Sequence, residues 1–163
     1  MIEVASCPGC GGSFEPKNGP VHAYMTSSPA CWAAFGRLLA AEYENATLMR
    51  VHRLSVDAYA LQHPGDRGDR RARQSVGLHL ARLYRSLELG LKGADANRPM
   101  LEFTSRKEDL PTLAPPAVFT MTMADIDHAV GGADHTATVE RWARTTLDDW
   151  RHAHDAIRAF IAG

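Results

Sequence analysis

The first 28 residues carry almost no apolar periodicity, so they cannot bury a core of their own. They are rich in Gly, Pro, Ser and Cys, and at their centre stands Cys7-Pro8-Gly9-Cys10-Gly11. A loop-rich segment of this kind stays ordered only where something else holds it. Cys7 and Cys10 stand three positions apart on a tight Pro/Gly turn. Their thiolates can reach one ion, and the amides of the turn can steady the sulfurs. Zinc then needs two further ligands to complete a tetrahedron. Cys31 is the one remaining thiol, and His22, between Cys10 and Cys31, is the nearest imidazole. A site of Cys7, Cys10, His22 and Cys31 is therefore expected, with zinc in a structural role that ties the segment to the first helix. Two other readings stay open. Cys-x-x-Cys also serves dithiol exchange, although redox motifs usually open a helix after a strand and no such signal follows Cys10. The thiols could also be unliganded.

The remainder is ordinary globular sequence. Of 163 residues, 45% are hydrophobic and 23% charged, which argues against disorder and low-complexity scaffolds. That length suits one domain, 1–163, with a knuckle segment at 1–28 and a helical bundle at 29–163. The formal net charge is −1 and the pI about 6.7, so no global field attracts nucleic acid or an anionic membrane. No apolar run approaches the roughly 20 residues of a membrane span. Met1-Ile2-Glu3-Val4-Ala5-Ser6 offers no basic or apolar stretch for a signal peptide. A soluble, cytoplasmic protein without nucleic-acid or membrane partners is expected, and three cysteines cannot close into internal disulfides alone.

The periodicity predicts an all-α fold, a small four-helix-type bundle carrying the N-terminal zinc knuckle. Ser28 caps a first helix with Pro29 at its first position, and Trp32, Phe35, Leu38, Leu39 and Tyr43 recur at helical spacing. A second helix runs from Thr47 to His63 and stops at His63-Pro64-Gly65. Asp66 to Arg71 reads as a charged connector. A third helix spans Arg73 to Leu91, with Gly93 as its stop. Residues 94–134 read as an irregular insertion because of Pro99, Pro111, Pro115 and Pro116. Within them, Thr122 and Asp125 have the spacing of a capping box for a short helix. A last helix covers Thr136 to Ile161.

Helical geometry sorts the other histidines. His52 and His63 lie on nearly one face but about 16 Å apart along the axis, so they cannot share an ion through that helix alone. His79 and His154 border apolar stripes, and His63 projects from a fixed helix end. His63, His79 and His154 from three helices would supply three imidazoles and an open position, the donor set of a catalytic divalent metal. Asp57, His52 or Glu42 would stand behind it, with Asp57 or His52 taking the proton. The alternative for each histidine is a hydrogen-bonded core residue. Arg67 to Arg73, with Asp66 and Asp69 interleaved, reads as a solvated loop.

Several blocks resemble an uncharacterised bacterial family, a domain of unknown function. They are the Cys7 to Gly11 knuckle, Ser27 to Trp32, Val51 to Tyr59, Gln62-His63-Pro64-Gly65, Gln74 to Leu80, and the Trp142 to His154 segment. The resemblance spans most of the chain and brings no established activity. A more distant likeness is to the DinB/YfiT-like bundles, which hold a divalent ion on three histidines. His79-Leu80 and His154 look similar to that arrangement. The His152-Ala153-His154 spacing departs from that family's usual His-x-x-x-His pair, and those bundles have no cysteine knuckle. The reading that follows is a zinc-binding helical protein with a His-lined pocket, acting on a small-molecule ligand through a second divalent metal. The alternative is a non-enzymatic binding or adaptor module whose zinc is purely structural.

Overall fold

The computed structural model describes residues 1–92 and 94–163. It is mostly helical, with one small antiparallel ladder at the N-terminus. Strand β1 (Ala5–Ser6) pairs with β2 (Ser13–Phe14), Ala5 opposite Phe14 and Ser6 opposite Ser13. These four residues bracket the Cys7–Cys10 turn and hold its two ends together.

Helix α1 (Pro29–Glu44) begins where the sequence predicts. Ser28 is its N-cap and accepts the Cys31 amide at 3.2 Å, with Pro29 in the first turn, where a missing N–H costs nothing. Cys31, Ala34, Phe35, Leu38 and Glu42 form its buried face. The expected second helix is two pieces, a 3-10 turn Leu48–Val51 and α2 (His52–Gln62). Nearly all of α2 from Ser55 onward is buried, because it packs on α1, α3 and α6.

Helix α3 (Arg70–Glu88) starts three residues before the expected Arg73. Asp69 is its N-cap, accepting from the Arg71 and Ala72 amides at 2.7 and 3.2 Å, so part of the supposed connector is helix. Gly93, the expected stop, lies outside the described residues; the helix ends at Glu88. The irregular reading of 94–134 is corrected by α4 (Ala94–Ser105). Its fully buried Phe103 packs against Phe160 with ring centroids 5.3 Å apart, an anchor that the prolines around it concealed. The short α5 (Met123–Ile126) carries the expected capping box, in which the Thr122 amide donates to Asp125 Oδ2 at 2.7 Å.

The expected last helix is broken into α6 (His135–Asp149), a 3-10 turn Arg151–Ala153 and α7 (His154–Ala162). No Gly or Pro marks the break. Trp150 makes it: the side chain is fully buried and its Nε1–H donates to the Leu61 carbonyl at 3.1 Å, which holds the chain against α2. One apolar cluster runs from the cysteines through Leu38, Tyr59, Leu80 and Trp142 to Phe160. Among the described residues, no helix is long and apolar enough to cross a membrane.

Candidate metal centre

The knuckle is a closed turn. The Cys7 amide donates to the Gly12 carbonyl at 2.8 Å and the Gly11 amide to the Cys7 carbonyl at 2.9 Å, with Gly11 at φ 79°. This aims both thiols to one side. Cys31 meets them from the first turn of α1, its sulfur 3.9 Å from Cys10. That separation matches the edge of a tetrahedron built on Zn–S bonds of about 2.3 Å, roughly 3.8 Å, and is far too long for a disulfide at about 2.05 Å. His63, the C-cap of α2, brings Nε2 to 3.2 Å from the Cys31 sulfur. The ligand atoms of Cys7, Cys10, Cys31 and His63 all lie within 4.8 Å of one another, and all four residues are buried. This group can hold a metal ion.

The three thiols meet as the spacing predicts, but the fourth corner is His63 and not His22. His22 sits against the rings of Tyr24 and Trp32, and its Nδ1 accepts the Tyr24 amide at 3.3 Å. His63 is held in place twice. Its Nδ1–H donates to the Tyr59 carbonyl one turn back at 2.6 Å, which fixes the tautomer and leaves Nε2 facing the thiols. Its ring also stacks on Tyr59, at 3.8 Å between centroids. The sulfurs have supports of their own. Ser28 N–H reaches Cys7 at 3.4 Å, Gly12 N–H reaches Cys10 at 3.4 Å, and the Tyr59 hydroxyl reaches Cys31 at 3.5 Å. Gly9 lets the knuckle close on α2. A Cβ there would stand 2.1 Å from the Thr26 carbonyl oxygen and 2.6 Å from His63 Cδ2. Gly9→Ala is expected to push the knuckle off His63 and to weaken metal retention by at least tenfold, as read by competition with a chelator.

Without a cation, three close thiols cannot all ionise, because like charges at this spacing repel. Hydrogen bonds from Cys10 and Cys31 hold the Cys7 thiol far below its ordinary range. The same neighbours, Cys10 first and then Cys7, hold Cys31 far above it. Burial pulls the His63 imidazolium down, but hydrogen bonds to Cys10 and Cys7 outweigh it and raise the group to about 9. At neutral pH Cys31 and His63 therefore both carry a proton that a metal must displace. Metal binding is expected to release at least two protons, one from Cys31 and one from His63. Apparent affinity then falls about 100-fold for each unit the pH is lowered below neutrality. Proton release into weakly buffered solution on addition of zinc measures it, and release of less than one proton contradicts it.

The structure does not bring His63, His79 and His154 together. His79 Nδ1 hydrogen-bonds Asp57 Oδ1 at 2.7 Å, and Arg82 donates to the same carboxylate. His154 Nε2–H donates to the Leu147 carbonyl at 2.8 Å and so covers a carbonyl at the end of α6. His52, expected near the metal with Asp57, instead joins His135 and Ser55 around the fully buried Glu42. Among the described residues, Cys7, Cys10, Cys31 and His63 form the one group with metal-ligand geometry. Glu42, expected behind the metal, is instead the hub of the polar cluster with His52 and His135, and the Arg82 partner of Asp57 has no motif by which the sequence shows it. Their only signal was polar residues placed on the buried faces of α1 and α3.

No curated protein and no solved structure shows a match to this chain. A family model does, over residues 5–151, which takes in the knuckle, all four candidate ligands and the helical body as far as the turn before α7. On that match the chain belongs to the family of unknown function DUF5946.

Proposed function

We propose that this is a zinc protein in which one Cys3His centre has a structural role, and that its helical body serves as a non-enzymatic binding module. The observation that carries the reading is the closed donor set. Four protein ligands from three separate segments, the knuckle, α1 and the end of α2, converge in a buried site. Four protein ligands fill a tetrahedron, whereas a catalytic zinc keeps a corner for water or substrate. Three thiolates and one imidazole are soft and borderline donors that suit zinc better than magnesium or calcium. Thiolates on zinc also persist best in a reducing compartment, in keeping with a cytoplasmic setting. The second divalent metal of the enzyme reading loses its support, since His63 faces the thiols, His79 is paired with Asp57 and His154 is bonded to a backbone carbonyl.

Metal analysis of the purified chain tests this. One zinc per chain is expected, lost in Cys7→Ser and His63→Ala and kept in His22→Ala and His79→Ala. Two metals per chain, with one lost in His79→Ala, would restore the enzyme reading. A chain that binds no metal overturns both.

A further inference from the structure

Asp57 is fully buried on α2 and carries more partners than one helix-to-helix tie requires. Its Oδ1 is met by His79 Nδ1 at 2.7 Å, by Arg82 Nη2 at 2.6 Å and by Arg82 Nε at 2.9 Å. Its Oδ2 is met by Arg82 Nε, also at 2.9 Å. His79 and Arg82 are one turn apart on α3, so both approach the carboxylate from the same helix. A buried carboxylate needs compensation, and the guanidinium supplies both its charge and its hydrogen bonds. The imidazole adds no further charge balance that Asp57 needs.

What Asp57 does to the two side chains follows from their chemistry. By taking Nδ1 of His79, it fixes the ring and turns Nε2 away from the carboxylate. By taking Nε and one N–H of Nη2, it leaves Arg82 with both N–H groups of Nη1 and the second of Nη2. Among the described residues, no hydrogen bond is made by His79 Nε2 or Arg82 Nη1. The side chains keep 19% and 14% exposure, although Asp57 itself has none. The result is a pair of side chains fixed on a buried carboxylate, each partly exposed and each with nitrogens that the carboxylate does not use. One of the two is a permanent cation. That cation disfavours a metal ion at His79 and favours an anion. A planar guanidinium beside an imidazole matches the geometry of a carboxylate or phosphate group, whose oxygens can accept from both.

We propose that the outward edges of His79 and Arg82, positioned by Asp57, form a binding site for a small oxyanion, a carboxylate or a phosphate group. The site lies on the α2–α3 face and shares no residue with the Cys3His centre. A zinc-loaded chain that binds no oxyanion therefore fails this inference and leaves the zinc reading intact.

The experiment is an NMR titration of the full chain, following the His79 ring and the Arg82 side-chain N–H signals. Sodium phosphate and sodium acetate are added separately at constant ionic strength, with chloride as the reference anion. A saturable shift of both sets of signals is expected with at least one of the two probes. A response to phosphate alone marks a phosphate site, and one to acetate alone a carboxylate site. Arg82→Lys keeps the charge but loses the fork, and is expected to weaken binding about tenfold or more as read on His79. His79→Gln, read on Arg82, serves as the second variant if Arg82→Lys does not fold. No saturable shift with either anion up to tens of millimolar overturns the inference. So does unchanged binding in whichever variant folds.

Discussion

Cys31→Ser is expected to strip the chain of its metal and to free residues 1–28 from the helical body. Cys31 is fully buried, and its sulfur is the point where the centre joins together, 3.9 Å from Cys10 and 3.2 Å from His63 Nε2. A serine hydroxyl does not ionise near neutral pH, so one of four corners goes. Structural zinc contributes an apparent 10–16 kcal/mol or so in small metal-folded units, comparable with the roughly 5–15 kcal/mol total stability of a domain. Little else secures the N-terminal segment. Its ladder is two residues long on each side, and apart from the cysteines it adds Phe14 and Met25 to the core as partly buried side chains. The helical body has a core of its own, so the expected loss there is smaller. Metal content should fall from one per chain to near zero. Amide exchange in residues 5–28 should become fast, and the Tm should drop by about 10 °C or more. A Cys31→Ser chain that keeps its metal, or keeps protected amides in the knuckle, contradicts the structural role.

The same residue shows how far the sequence could be followed. Cys7, Cys10 and Cys31 are legible because thiols are few and Cys7 and Cys10 share one tight Pro/Gly turn. The fourth ligand was not, because the choice of His22 rested on nearness in the chain. His63 lies 32 residues beyond Cys31 and reaches it only because α2 runs back along α1. Its one local signal, an imidazole at a helix end fixed by Pro64, pointed to a ligand but not to which site. Ser28, Pro29 and the Thr122–Asp125 box gave correct helix starts, since caps are local chemistry. The break at Trp150 was invisible because a distant carbonyl on α2 causes it. The periodicity places His79 and His154 at the borders of apolar stripes. Polar side chains on such faces reach the nearest unsatisfied partner, and here these were Asp57 and a helix-end carbonyl.

Glu42→Ala is expected to destabilise the chain by about 2–6 kcal/mol, about 1–3 kcal/mol for each buried donor it orphans, while leaving its metal content at one. Glu42 sits on α1 with no exposure. Its Oε2 is paired with His52 Nδ1 at 2.8 Å, and its Oε1 with His135 Nε2 at 3.1 Å and with the Ser55 hydroxyl, which donates to it. His135 Nδ1 accepts the Gly131 amide at 3.0 Å, so the proton of the neutral ring lies on Nε2 and points at the carboxylate. One side chain of α1 thus gathers donors from α2 and α6. Removing it orphans the Ser55 hydroxyl and the His135 N–H, both in residues with almost no exposure, and each loses its compensation for leaving water. Glu42→Gln separates charge from shape. It keeps one acceptor oxygen but turns an amide N–H₂ toward a group that also donates, so a smaller loss of about 1–3 kcal/mol is expected. Denaturant unfolding of the three proteins, each with its metal measured, provides the test. If Glu42→Ala unfolds within about 1 kcal/mol of the parent, solvent or rearrangement satisfies these groups and the hub is not what fixes α1 against α2 and α6. If it loses metal as well as stability, the hub and the Cys3His centre at the two ends of α2 are coupled, and the hub holds α2 in the position from which His63 reaches the thiols.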